Sequence, residues 1–240
     1  MVYGATLLVL LISHRGTDEQ KSIIHMQNIY KLAYSLVCFT ALATIISCSK
    51  DAEVKPLDIP KSVTIEVDED HNLNVNKEWT SSNEFVAKVD GSGKITGNHV
   101  GECTIQCSEG SCRVTVTPNY TLYREPLCDT SLTKEYVMSL YGEPRSISEN
   151  GKTVTYETGQ SSAPYIMYTF VNDKLDGAAV VVSKSYESSL KKHLSNRYVY
   201  VQYDEGFYQY ANAYKWEDVT LVVMYSSLNS SYYLVMYQPQ

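Results

Sequence analysis

Trp79-Thr80-Ser81-Ser82-Asn83, Val86-Ala87-Lys88-Val89-Asp90, Gly93-Lys94-Ile95-Thr96-Gly97, Thr104-Ile105 and Val114-Thr115-Val116 follow one another in a single stretch of the chain. β-Branched and apolar residues alternate there with polar ones, and turn residues such as Gly91-Ser92-Gly93 and Glu109-Gly110 cut the runs short. Short alternating strands at this spacing mean a sandwich. Working outward, Ser62 to Val67, Asn72 to Val75, Val86 to Val89, Cys103 to Gln106 and Arg113 to Thr117 read as its strands. Trp79 is the expected core anchor, with Ile105, Val114 and Val116 facing inward. Gly93 and Gly97 permit turn conformations that a Cβ would oppose.

Those motifs, together with Val100-Gly101, resemble a bacterial immunoglobulin-like domain of group 2 (BIG2) over residues 60–118. The segment between Leu73 and Trp79 is shorter than is usual in that family. The resemblance implies adhesion, ligand presentation or spacing in surface proteins, and it brings no catalytic residues. Asp68-Glu69-Asp70-His71-Asn72 reads as a solvated acidic turn rather than a calcium loop. The sixth and twelfth positions, which need glycine and glutamate, are Leu73 and Trp79.

The hairpin from Cys103 to Val116 admits a four-residue loop that sets Cys107 opposite Cys112, Ile105 opposite Val114 and Cys103 opposite Val116, all inward. A Cys107–Cys112 disulfide is one reading of that register and buried free thiols are the other. No metal site is expected, because no histidine stands at ligand spacing from this cysteine pair and no second pair of cysteines accompanies it.

Upstream, the apolar run Leu32 to Ile46 follows Lys31 and ends in Ile45-Ile46-Ser47-Cys48, which resembles the lipobox of a bacterial lipoprotein signal peptide. It is shorter than the roughly 20 apolar residues of a membrane span. The resemblance implies acylation of Cys48, with two or more chains for stable anchoring. Residues 1–47 then read as an upstream start called too early plus a signal peptide beginning at Met26, and residues 48–59, with Pro56 and Pro60 about them, as a tether. Ser49-Lys50-Asp51-Ala52-Glu53 is either a surface-export tag or a polar tether. The implied address is the cell envelope, as an outer-membrane lipoprotein on the surface or periplasmic side.

The net charge of −7 argues against nucleic acid, which selects for a basic face. Residues 51–118 hold 12 acidic and 6 basic side chains, and residues 119–240 hold 13 and 10, so the first domain is the more acidic. Texture changes sharply after Tyr120, where the chain becomes tyrosine-rich. A helix capped by Thr133 places Val137, Leu140 and Tyr141 on one side and stops at Gly142. A second, Tyr186 to Asn196, places Tyr186, Leu190 and Leu194 on one face, with His193 toward solvent.

Strand-like runs follow each helix, so the expected fold class is two domains: an all-β immunoglobulin-like sandwich, then an α+β domain over 119–240. That second domain has an antiparallel sheet with two helices on one face and a weak internal duplication. Thr133-Lys134-Glu135-Tyr136-Val137, Tyr141-Gly142-Glu143-Pro144 and Tyr168-Thr169-Phe170 loosely resemble the small outer-membrane assembly lipoproteins and the β-lactamase inhibitor proteins, which implies protein binding through a sheet.

Catalysis finds little support. Residues 48–240 carry only His71, His99 and His193, none of them in a nucleophile, metalloprotease or phosphate-loop motif. Asp204-Glu205 and Glu217-Asp218 are loop-end acids. No enzyme and no cofactor are therefore expected. The expected function is an exported, lipid-anchored binding protein for a glycan or protein ligand, or alternatively an assembly subunit docking another envelope protein through the C-terminal sheet. Tyr198, Tyr200, Tyr208 and Tyr210, which strand parity pairs on shared faces, are the candidate ligand-binding residues if those faces point outward, and ordinary core if they cover the helices or lie beneath the immunoglobulin-like domain. A glycan binder should expose a few aromatics among Asn, Asp and Gln in a groove. A docking subunit should expose a flat, continuous aromatic patch.

Overall fold

The computed structural model describes residues 58–240. The expected signal peptide, the Met26 start, Cys48 acylation and nearly all of the tether lie outside the described residues.

The first domain is built from β1 (Ser62–Glu66), β2 (Asp70–Asn72), β3 (Thr80–Ser81), β4 (Ala87–Val89), β5 (Lys94–Gly97), β6 (Gly101–Cys107) and β7 (Gly110–Thr117). Two sheets form, ordered β1-β7-β6-β3 and β2-β5-β4, with β1 running parallel to β7. Alternation sends Ile65, Ile105, Cys112, Val114 and Val116 inward to meet Trp79 and Ile95, all of them buried. The strand expected at Asn72 to Val75 forms earlier, at Asp70–Asn72, and the turn after it places Asn74 at φ 57°.

The β6–β7 hairpin corrects the expected register. Its loop has two residues, so Cys107 faces Gly110, Ile105 faces Cys112 and Cys103 faces Val114. The shift is by two residues, which preserves the inward set because side chains alternate with period two. It nevertheless separates Cys107 from Cys112, and Cys103, Cys107, Cys112 and Cys128 are all free thiols. The two-residue loop carries the ladder on to its base, pairing Gln106 with Ser111 and Cys107 with Gly110.

The second domain holds α1 (Lys134–Tyr141), β8 (Ser146–Ile147), β9 (Thr153–Glu157), β10 (Tyr165–Val171), β11 (Lys174–Ser183), α2 (Glu187–Ser195), β12 (Val199–Asp204), β13 (Phe207–Ala211), β14 (Leu221–Ser227) and β15 (Tyr232–Pro239). All eight strands join one sheet, ordered β12-β13-β14-β15-β11-β10-β9-β8. Two four-stranded meanders thus meet where β11 pairs antiparallel with β15.

This overturns the expected α+β domain with two helices on one face: the domain is dominated by its sheet. Eight strands about 4.8 Å apart span roughly 34 Å. A helix of eight or nine residues is about 13 Å long, so α1 and α2 cannot cover such a sheet. Much of the cover is instead extended chain, with Leu122, Tyr123 and Leu127 packed into the core. Thr133 does cap α1, its Oγ1 accepting from the Tyr136 N–H at 3.1 Å, and Gly142 ends it at φ 76°. Of the expected apolar side of α1, however, only Val137 is buried, and Leu140 lies exposed. On α2 the buried set is Leu190, His193 and Leu194, which reverses the expectation that His193 faces solvent.

Candidate functional site

An extended segment laid over a sheet cannot satisfy its own backbone hydrogen bonds, so partners must come from side chains. The segment from Tyr120 to Cys128 obtains them from α2 and from tyrosines of the sheet. Asn196 Oδ1 accepts from the Tyr120 N–H (3.2 Å), His193 Nδ1 from the Leu122 N–H (3.3 Å) and the Tyr168 hydroxyl from the Leu127 N–H (3.2 Å). Arg197 donates to Tyr120 O (3.2 Å), Thr121 Oγ1 (3.0 Å) and His193 O (2.9 Å). These contacts explain why three polar side chains, His193, Asn196 and Arg197, are buried.

Glu125 sits at the hub of this arrangement. Its Oε1 lies 2.7 Å from His193 Nε2 and 3.4 Å from Arg197 Nε, and it accepts the Tyr237 hydroxyl at 3.2 Å. Its Oε2 accepts the Tyr198 hydroxyl at 2.5 Å. Because Nδ1 of His193 accepts a backbone N–H, the proton sits on Nε2, facing the carboxylate. Burial holds the His193 pKa below its usual value, against the opposing pull of Glu125. Burial likewise lowers that of His99, whose Nδ1 lies 2.8 Å from Phe85 O.

Both histidines thus bind a proton less readily folded than unfolded. Their contribution to stability is complete above the unfolded value near 6.5, and it is lost as pH falls below that value. Melting temperature is therefore expected to fall between pH 7.5 and pH 5.5. A flat thermal profile across that window would contradict the neutral state of both rings.

The two domains meet beside this hub. Val100 N–H donates to Asn196 O at 2.8 Å, and Val199 packs against the core of the first domain. Phe85 stacks on His99 at 4.0 Å, and Tyr214 meets both rings edge-on at 5.2 and 5.8 Å. Along this junction runs a trough. One part, about 610 Å³, lies between Ser82–Phe85 and the loop of residues 212–220. The next, about 360 Å³, reaches Glu125, Cys128, Arg197 and Tyr198. Both parts share Asn83, Phe85 and Asn212.

Asn212 builds the wall by closing its own loop. Its Oδ1 accepts from the Thr220 and Leu221 N–H groups (3.0 and 3.1 Å), and its Nδ2 donates to Thr220 Oγ1 (2.8 Å). That loop displays Tyr214, Lys215 and Asp218 to the trough and carries Trp216, which is 66% exposed. Glu84 and the Asn83 amide face them from the first domain. Such a lining offers aromatic faces together with donors and acceptors. Cys128 is not an activated thiol there, since burial pushes it up to about 12, with Glu125 adding to the effect. Among the described residues no group of three His, Cys, Asp or Glu could hold a metal ion.

The candidate tyrosines separate. Tyr198 and Tyr210 are core residues, so the surface patch expected of all four does not form. Tyr208 is half-buried and stacked on Tyr225 at 4.6 Å, and only Tyr200 is exposed. Tyr208 and Tyr210 do share a face, both meeting Tyr225, and what removes the patch is cover: Tyr198 and Tyr210 belong to the core that the segment from Tyr120 to Cys128 packs into. The trough residues were missed in the sequence because the walls come from segments more than 100 positions apart. The only local hint was Tyr214 and Trp216 within a polar loop.

Among the described residues no helix is long and apolar enough to cross a membrane. A search of curated proteins returns no match to the chain. Residues 57–117 match the family model of the bacterial Ig-like domain (group 2), a family whose domains typically occur in extracellular or surface proteins. The first domain is therefore a group 2 bacterial Ig-like module, of the kind associated with surface binding or adhesion.

Proposed function

We propose that this chain is a non-catalytic, lipid-anchored protein of the cell envelope that binds a glycan in the trough between its Ig-like module and its C-terminal domain. The observation that carries this reading is the trough lining, in which Tyr214 stands among Asn83, Glu84, Lys215 and Asp218, with Trp216 exposed in the same loop. Aromatic rings take the C–H face of a sugar, and the amide and carboxylates serve its hydroxyls. Tyr198 and Tyr210 are buried, so of the four candidate tyrosines only Tyr200 stands exposed on the sheet. The two meanders, each preceded by a helix, support the internal duplication read from the sequence.

A glycan array probed with the full chain tests the reading. Wild type is expected to bind, and Trp216→Ala to bind at least roughly tenfold more weakly, as a lost interface tryptophan does. Its melting temperature should remain unchanged, because the ring is exposed. An array without a hit, or equal binding by the variant, rejects the glycan reading.

Anchoring is tested separately. Cys48→Ser is expected to move the protein from the membrane to the soluble fraction, because one covalent change removes every acyl chain. Persistence in the membrane without incorporation of labelled palmitate would show that Cys48 is not the anchor.

A further inference from the structure

Two short helices and one extended segment do not tile the covered face of an eight-stranded sheet, and between the end of α1 and the segment from Tyr120 to Cys128 they leave a cavity of about 310 Å³. It shares no lining residue with the trough. Its floor is Ile166 of β10 and Val180 of β11, which face each other in the register and belong to the core. Its walls are the rings of Tyr123 and Tyr141. Both hydroxyls are engaged with residues outside the lining, Tyr123 with Tyr237 at 2.8 Å and Tyr141 with Tyr168 at 2.6 Å, so the walls are held in place and offer the cavity ring carbon.

The mouth is polar, and one charge there is left over. Of the four arginines among the described residues, Arg113, Arg145 and Arg197 each pair with a carboxylate, and Arg124 pairs with none. Arg124 stands exposed at the rim beside Glu157, Thr158 and Gln160. Glu157 is already neutralised by Arg145, and the Thr158 hydroxyl donates to Ala163 O. That leaves the rim, among the described residues, with the Arg124 guanidinium and the Gln160 side-chain amide as groups free to donate.

We propose that this cavity binds a single-chain fatty acid, its alkyl chain lying on Ile166 and Val180 between the two tyrosine rings and its carboxylate held by Arg124 and Gln160. An apolar hollow with an uncompensated cation at its rim is complementary to an amphipathic anion. The chain displaces water for which the floor has no hydrogen bonds. The guanidinium fork takes both carboxylate oxygens at once. The volume lies at the lower end of small-molecule sites, so it admits one short chain and excludes a lipid with two. The site is separate from the trough, and the glycan reading neither supports it nor depends on it.

The full chain carrying Cys48→Ser, which needs no detergent to compete with the probe, is titrated calorimetrically with decanoate below the concentration at which it forms micelles. Saturable binding at one site is expected. Arg124→Glu in the same chain should weaken it at least roughly tenfold, with the melting temperature unchanged because the side chain is exposed. Decan-1-ol, which has the chain without the charge, should bind more weakly than decanoate and equally to both proteins. A decanoate with a diazirine at its far end should label Ile166 or Val180 on illumination, as read by mass mapping. The proposal is overturned by an absence of saturable binding, by decanoate binding indifferent to Arg124→Glu, or by labelling confined to residues outside the cavity. Decan-1-ol binding as tightly as decanoate would make the cavity a neutral apolar site and reject the fatty acid.

Discussion

Replacing Trp79 by alanine is expected to unfold the Ig-like module at room temperature while leaving the C-terminal domain folded. The indole is buried against a core drawn from both sheets, and its Nε1–H donates to Val75 O at 2.8 Å. Emptying such a site costs about 3–5 kcal/mol. A domain of about 60 residues has little more than that in reserve. Its neighbour Gly93 cannot fill the gap, because it holds φ +81° and a Cβ there would lie 2.8 Å from the same Val75 carbonyl. Trp79→Phe should retain most of the packing and cost about 1–2 kcal/mol for the lost hydrogen bond and volume. Limited proteolysis followed by mass mapping checks the outcome, with cleavage expected within residues 60–118 and a surviving fragment beyond them. A Trp79→Ala chain that resists protease as wild type does would remove Trp79 from its role as anchor.

Arg197→Met is expected to cost about 3 kcal/mol, at the low end of the range for breaking a buried ion pair because Glu125 is itself 31% exposed. The loss leaves Tyr120 O and Thr121 Oγ1 without their guanidinium donor, and it leaves Glu125 beside a neutral His193. Lysine is a poor substitute, since one ammonium cannot reproduce the fork that reaches Tyr120, Thr121 and His193 together. Arg197→Lys should therefore recover less than half of the loss. Urea titration monitored by near-ultraviolet circular dichroism reads both variants. A cost below about 1 kcal/mol would show that Leu122 and Tyr123 hold the segment by apolar contact alone.

The alternation between Ser62 and Thr117 by itself determined the sandwich, because a period of two with glycine turns leaves few other ways to bury one face. Thr133 and Gly142 likewise bracketed α1, since capping is a local interaction. Inward-facing residues of the β6–β7 hairpin were legible, but their partners were not. A two-residue shift keeps every side chain on its face, so pattern alone cannot fix the register.

Only the tertiary structure decided the rest. Whether Tyr198 and Tyr210 face water or core depended on the position of the extended segment from Tyr120 to Cys128, and nothing in their own strands encodes that. His193 has charged neighbours in sequence and reads as a surface residue, yet it is buried because Leu122 and Glu125 supply its polar partners from some 70 residues away. The trough exists only once the Ser82–Phe85 turn and the loop of residues 212–220 come together. Long-range packing supplies both walls, and a one-dimensional pattern carries no record of which distant segments will meet.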